Sequence, residues 1–308
     1  MKHTTIPATK NPQDIRYIFF GTPEFAADTL EKLLNRGFIP AAIVCNPDRP
    51  VGRKKLITPP AAKLFILEHQ MQDPTFSVDI LQPESLDESF METLRSYDAD
   101  VFIVAAYGKL MAQNILDIPK YGTIGVHPSM LPKYRGASPI QSALLNGEQS
   151  TGVSLFLIDE KMDHGPVIAH EAVYIGTMDY IMLAKKLAEI GGELLWKAVP
   201  EYIAGKITPR PQEHNAATFC SKFSTEDGFI DIHDIERAQI EGGAIALAIE
   251  RKVRALNPEP GTWTMASTIH NIHFGKEKRV KILKADISVN GTLILKKIHV
   301  DGSKPIKL

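Results

Sequence analysis

Asp100-Val101-Phe102-Ile103-Val104-Ala105-Ala106 carries no polar residue after its first position and runs into Tyr107-Gly108. A short run that is apolar at every position is what a strand shows when helices cover both faces of a parallel sheet. The neighbouring segments agree. Residues 15–20 form a second apolar run, closed by Gly21-Thr22-Pro23-Glu24. Thr22 is placed to cap a helix and Pro23 to stand at its first position, so an amphipathic helix is expected over 25–35. Residues 38–45 and 124–127 give two more strands. This alternation predicts an α/β fold with a doubly wound, mostly parallel sheet. In such sheets ligands bind beyond the carboxyl ends of the strands, where Tyr107-Gly108 and His127-Pro128 both fall.

Further along, strands are expected at 153–159 and 167–175, and a long helix at 180–204 carrying an internal Gly191-Gly192. Thr208-Pro209-Arg210-Pro211-Gln212 reads as a linker by composition. Beyond it come a helix over 234–256 and short strands at 262–266, 271–274, 280–285 and 292–299, the pattern of a small β-barrel. The organisation predicted is a polar leader (1–14), a doubly wound α/β domain (15–205), a linker (206–215) and a β-rich C-terminal domain (216–308).

The 308 residues are 44 % hydrophobic and 23 % charged, with a net charge of −1, an ordinary composition for a soluble globular chain. No apolar run approaches the ~20 residues that a membrane span needs. The N-terminus lacks the apolar core of a secretory signal. Two cysteines, Cys45 and Cys220, do not make a disulfide framework or a structural zinc site, so a reducing, cytoplasmic setting is expected. Charge is unevenly distributed. From Lys206 onward there are 16 Lys and Arg against 12 Asp and Glu, a net of +4, whereas the first 205 residues carry −5. A basic tail suits a polyanionic partner. There is no Gly-x-Gly-x-x-Gly fingerprint and no Walker loop. His270 and His273 would point to opposite faces of a strand, so no metal site is expected there.

Two clusters hold candidate chemistry. His127 follows a strand and precedes Pro128, which restricts its backbone to extended angles and so limits where the imidazole points. Asp163 precedes His164-Gly165, a turn able to present its carboxylate inward. A carboxylate beside a histidine holds its tautomer and stabilises the protonated ring, which makes the two a candidate acid–base pair. Arg49, Arg53, Lys54 and Lys55 lie in a Pro- and Gly-punctuated loop whose cations are spaced to contact phosphates.

Taken together, Ile18-Phe19-Phe20-Gly21-Thr22-Pro23-Glu24-Phe25-Ala26, Asn46-Pro47-Asp48-Arg49-Pro50-Val51-Gly52-Arg53, Val104-Ala105-Ala106-Tyr107-Gly108 and Val126-His127-Pro128-Ser129-Met130-Leu131-Pro132-Lys133-Tyr134-Arg135-Gly136 resemble the methionyl-tRNA formyltransferases. The His-Pro-Ser-x-Leu-Pro-x-x-Arg-Gly segment is diagnostic of the folate-dependent formyltransferase superfamily. Weaker echoes, Thr218-Phe219-Cys220-Ser221-Lys222 and Ala255-Leu256-Asn257-Pro258, extend into the tail. The resemblance implies a formyltransferase-like Rossmann variant followed by an OB-like barrel, and transfer of a formyl group from 10-formyltetrahydrofolate to methionyl initiator tRNA without a metal. It implies that His127 and Asp163 are catalytic. Ser129, Met130, Leu131 and Pro132, with Ala106, Tyr107 and Gly108, would border the folate. Phe25 would line the methionyl pocket, and Arg49, Arg53, Lys54 and Lys55 would grip the tRNA. A monomer in the cytoplasm is expected, with tRNA and folate as its partners.

One position departs from the family. Two residues before the histidine the family has asparagine, which holds the formyl oxygen as charge develops, and here that residue is Gly125. Loss of one such donor costs on the order of 10²–10³ in rate. The intact remainder of the motif favours an active enzyme with water or another donor in that space, and asparagine restored at 125 is then expected to change the rate. The chain also stops at Leu308, where relatives usually add a helix. Two other readings stand beside this one: a formyltransferase for a nucleotide-linked amino sugar, and a catalytically silent folate- or RNA-binding homologue.

Overall fold

A computed structural model describes residues 11–52 and 55–308. Most of the expected leader, together with Arg53 and Lys54 of the basic loop, therefore lies outside the described residues.

In chain order the first elements are β1 (Tyr17–Gly21), α1 (Glu24–Leu34), β2 (Ala42–Val44), β3 (Arg49–Val51), β4 (Leu56–Thr58), α2 (Ala61–Gln72), β5 (Asp79–Leu81), α3 (Glu88–Ser96), β6 (Val101–Ala105), α4 (Gln113–Leu116) and β7 (Thr123–His127). They are followed by β8 (Arg135–Gly136), α5 (Pro139–Leu145), β9 (Ser150–Leu157), β10 (Val167–Tyr174), α6 (Tyr180–Ile203) and β11 (Phe219–Cys220). The tail holds α7 (Ile232–Ile240), α8 (Gly243–Leu256), β12 (Thr262–Ile269), β13 (Ile272–Ile287), β14 (Leu293–Val300) and β15 (Ile306–Lys307).

Two compact units result. The first takes the described residues up to Arg135 with Thr151–Val173 and Ala184–Phe219. Gly136–Ser150, Tyr174–Leu183 and Cys220–Leu308 make up the second.

A seven-stranded sheet in the order β10-β9-β7-β6-β1-β2-β5 organises the first unit. β1 pairs in parallel with both β2 and β6, and β6 with β7, whereas β7 and β9 are antiparallel. The order reverses on either side of β1, so the crevice of the fold opens where β1, β6 and β7 end. Val101, Phe102, Ile103 and Ala105 are buried, as the continuous apolar run required. Phe20 and Phe102 meet at 5.2 Å between ring centroids, inside a core that includes Ile18, Val44, Leu94 and Tyr107.

Three local expectations change in the structure. Thr22 does not cap α1; the cap position is Pro23, which offers no side-chain bond. The Thr22 hydroxyl instead donates to the Tyr107 carbonyl (3.2 Å) and accepts from the Asn46 amide (3.3 Å), linking three strand ends. The helix expected over 234–256 is two helices, because Gly242 and Gly243 take φ of +67° and +70°, outside the helical range. The strands expected at 271–274 and 280–285 are one continuous 16-residue strand, β13.

The second unit carries the antiparallel sheet β12-β13-β14-β15. Its register shifts at Ala266/Thr268 and around Lys284, irregularities of the kind by which such sheets curl. Val280, Ile282, Leu295 and Ile298 pack there with Ile235, Ile249 and Val253 from α7 and α8.

Candidate active site

His127 is the last residue of β7 and is only 5 % exposed. Its ring Nε2 lies 2.8 Å from the Tyr134 carbonyl oxygen. A carbonyl only accepts, so in the neutral ring this nitrogen carries the proton and Nδ1 the lone pair. Nδ1 faces Asp163, with Oδ2 at 3.6 Å. In the neutral ring two acceptors confront each other at that distance; a proton taken up by Nδ1 turns the contact into a charge-assisted hydrogen bond. The expected pair is thus brought together from the ends of two chain segments 36 residues apart in number.

The Tyr134 carbonyl is held by its own backbone. Tyr134 adopts φ of +59°, and its amide donates to Thr218 Oγ1 at 2.8 Å. Asp163 likewise sits in the left-handed region, at φ of +47°, which costs an L residue roughly 1 kcal/mol. Three attachments secure its turn. His164 Nδ1 lies 2.7 Å from Asp159 Oδ2. The His164 ring stacks flat on His214, centroids 4.1 Å apart. Gln212 Nε2 donates to the carbonyls of Asp163 (2.9 Å) and Gly165 (2.7 Å). Gln212 in turn accepts from the buried guanidinium of Arg135, at 3.1 Å from Nε and 2.6 Å from Nη2. Arg135 Nη2 also donates to His214 Nδ1 at 3.0 Å. Desolvation, and after it the nearby His164 and Arg135, hold the His214 pKa below its ordinary value.

Around Gly125, where the resemblance leads one to expect asparagine, the space is closed. Gly125 pairs across strands with Phe156, and a Cβ on residue 125 would strike the Phe156 ring and stand 3.1 Å from Ile158 Cγ1. The ring meets His127 edge-on at 6.5 Å. An aromatic side chain, not a polar donor, therefore fills that direction.

The other predicted residues lie as follows. Ser129 is fully buried and donates to the Lys133 carbonyl at 2.6 Å, while the Ser154 hydroxyl donates to its carbonyl at 2.8 Å. Met130 packs beside Gly152. Leu131 and Pro132 line a cavity of about 750 Å³ together with Ile168, Arg210 and Gln212, and neither His127 nor Asp163 borders it. Ala106 and Gly108 have φ of +51° and +81° on either side of Tyr107. Tyr107 turns its ring into the core against Phe20, 5.4 Å between centroids, and burial pushes its pKa up to about 12. Only its backbone is thus available at the strand end, where the carbonyl receives Thr22 and, at 3.1 Å, Asn46 Nδ2. Phe25 is half-buried in the first turn of α1.

Among the described residues of the basic loop, Arg49–Val51 pair with Leu56–Thr58 in a β-hairpin, Arg49 opposite Thr58 and Val51 opposite Leu56. Arg49 is already paired with Glu84 at 2.6 Å, and Lys55 is exposed. Leu56 and Ile57 are exposed as well, at 64 % and 66 %. At the base of the hairpin Asp48 accepts from Gln82 and Lys63, which lower its pKa.

Phe156 and the His164–His214 stack were not singled out from the sequence, while Gln212 fell in the expected linker and Thr218 in a quoted tail segment, neither with a role. Arg135 lay inside the quoted motif without a role. Among the described residues no three His, Cys, Asp or Glu side chains group to hold a metal ion, and no helix is long and apolar enough to cross a membrane.

Residues 15–199 match the family described as formyl transferase, and residues 224–305 match its C-terminal domain. The methionyl-tRNA formyltransferase of Chloroflexus aurantiacus is 37 % identical over 281 residues, spanning 90 % of this chain and 82 % of that protein. Among solved structures, HypX from Aquifex aeolicus in complex with tetrahydrofolic acid superposes with a TM-score of 0.61 at 16 % identity, over 96 % of this chain and 46 % of that one. The methionyl-tRNA formyltransferase from Clostridium thermocellum superposes with a TM-score of 0.55 at 15 % identity, covering 93 % and 98 %.

Proposed function

The chain belongs to the formyl transferase family, among the methionyl-tRNA formyltransferases, and from that membership we propose that it transfers a formyl group from 10-formyltetrahydrofolate to the amino group of methionyl initiator tRNA. The observation that carries the reading is the His127 Nδ1–Asp163 Oδ2 approach at 3.6 Å, beside the ends of β1, β6 and β7.

The unprotonated methionyl amine attacks the formyl carbon. A new carbon–nitrogen bond forms and the bond to the folate nitrogen breaks. The proton lost by the amine passes to His127 Nδ1, directly or through water, and from there to the departing folate nitrogen. While the imidazole is protonated, Asp163 balances its charge and keeps the ring in register. The positive ring also favours the oxygen on which negative charge develops.

Ser129, Met130, Leu131 and Pro132 and the backbone of Ala106, Tyr107 and Gly108 are assigned to the folate, and Phe25 to the methionyl side chain. Arg49 and Lys55, with Arg53 and Lys54, and the basic domain from residue 216 are assigned to the tRNA; the catalytic domain is assigned to residues 15–205, and the protein acts as a monomer.

The test is transfer of labelled formyl from 10-formyltetrahydrofolate to methionyl initiator tRNA, with His127→Ala alongside. Turnover by the wild type that falls by 10²-fold or more in the variant is expected, on the order of a lost general base. Folate binding without turnover would instead point to another amine acceptor or to a silent homologue.

A further inference from the structure

Asp163 faces His127 from a turn in the left-handed backbone region, at φ of +47°, and the 3.6 Å separation stands just beyond hydrogen-bond length. A displacement of about half an ångström therefore decides whether the protonated ring finds its carboxylate. Attention then falls on what sets the turn. Gln212 is 7 % exposed and uses every polar valence of its amide. Its oxygen accepts twice from Arg135, at 3.1 and 2.6 Å, and its nitrogen donates to the Asp163 and Gly165 carbonyls, at 2.9 and 2.7 Å. The guanidinium, itself 3 % exposed, can only donate, so it dictates which end of the amide is oxygen. The nitrogen is thereby turned toward the Asp163 turn.

We infer that Gln212 is a positioning residue for the reaction: oriented by Arg135, its amide clasps the Asp163 turn and places the carboxylate against His127. The inference rests on the assignment of His127 and Asp163 as the reacting pair. Gln212 touches neither of their reacting atoms and acts through the backbone alone.

Gln212→Glu separates this role from general packing. The glutamate keeps the size and still accepts from Arg135, now with a charge opposite the guanidinium, but it loses both donors and turns an oxygen toward two carbonyls. Formyl transfer by the wild type, Gln212→Glu, Asp163→Asn and the double variant forms a double-mutant cycle. The kcat of Gln212→Glu is expected to fall at least 10-fold, with the KM for methionyl-tRNA within twofold. In the Asp163→Asn background the same change is expected to cost less than twofold. In protein labelled with ¹⁵N-histidine, the His127 ring signals, assigned by their loss in His127→Ala, should move in Gln212→Glu in the direction they move in Asp163→Asn.

An unchanged kcat, an equal loss in both backgrounds, or an unmoved His127 signal overturns the clasp. If the wild type transfers no formyl to methionyl-tRNA, the functional reading fails and the ring signals alone decide the clasp. Should the glutamate not fold, Gln212→Met, uncharged and of similar length, repeats both measurements.

Discussion

At Gly125 a single residue links family pattern to local packing. A Cβ there would meet Phe156 Cζ at 2.7 Å as well as Ile158 at 3.1 Å, so the missing asparagine cannot be restored without moving an aromatic ring that is 3 % exposed. Gly125→Asn alone should therefore lower stability by about 1–3 kcal/mol, the usual cost of overfilling a packed interior, and should not raise kcat. Phe156→Ala alone should cost about 3–5 kcal/mol through its cavity. Combined, the two should cost less than their sum, because each relieves the other, and kcat should exceed that of Phe156→Ala. Denaturant unfolding and formyl transfer on the four proteins check this; strict additivity would mean that Phe156 does not occupy the asparagine's place. The absence of the family residue was legible in the sequence. The ring from the neighbouring strand that closes the space beside Gly125 was not, because nothing in the chain order pairs residue 125 with residue 156.

Among the elements, α6 illustrates how packing overrides propensity. Gly191 and Gly192 in its interior should weaken the helix by about 1 kcal/mol each relative to alanine. The structure supplies the reason they are there: a Cβ on Gly191 would stand 2.9 Å from Val126 Cγ1, and one on Gly192 2.6 Å from Lys32 Cβ and 2.9 Å from the Thr29 carbonyl. The helix lies against β7 and α1 too closely for any side chain. Gly192→Ala is accordingly expected to lower stability by about 1–3 kcal/mol, against the gain its helix propensity alone would bring. Thermal unfolding decides, and a raised Tm would show that α1 yields. Element type along the chain was readable from periodicity, since apolar runs and amphipathic spacing are local properties. The division of α7 from α8 was missed although Gly242-Gly243 was visible, because a glycine pair inside α6 leaves the helix intact. Which glycine pair breaks a helix depends on whether neighbours require the close approach or the chain takes positive φ, and both are tertiary matters.

For the whole molecule the uneven charge is the informative quantity. The segment from Lys206 carries a net of +4 against −5 for the rest, and within it Lys278, Arg279, Lys281 and Lys284 fall on β13 and Lys296 and Lys297 on β14. Arg279 also lies over the Trp263 ring at 4.0 Å, a stacked cation beside an aromatic face. If these cations and the hairpin meet tRNA phosphates, a fourfold rise in salt should weaken tRNA binding roughly threefold for each phosphate contacted. The KM for methionyl-tRNA is then expected to rise at least 10-fold between about 50 and 200 mM salt, while that for the folate changes far less. A flat response would remove the electrostatic role of the basic tail.

Sequence alone determined the α/β class, the strand ends at which His127 and Tyr107-Gly108 fall, and the family, because burial pattern and a nearly contiguous motif are written in local order. Only the tertiary structure decided which ring nitrogen of His127 faces the Tyr134 carbonyl, the ring that fills the space beside Gly125, and the attachment of Asp163 through Gln212 to Arg135. Each of these depends on groups 7 to 77 positions apart in the chain meeting within hydrogen-bond or van der Waals distance. The folded backbone, not the order of residues along it, sets those distances.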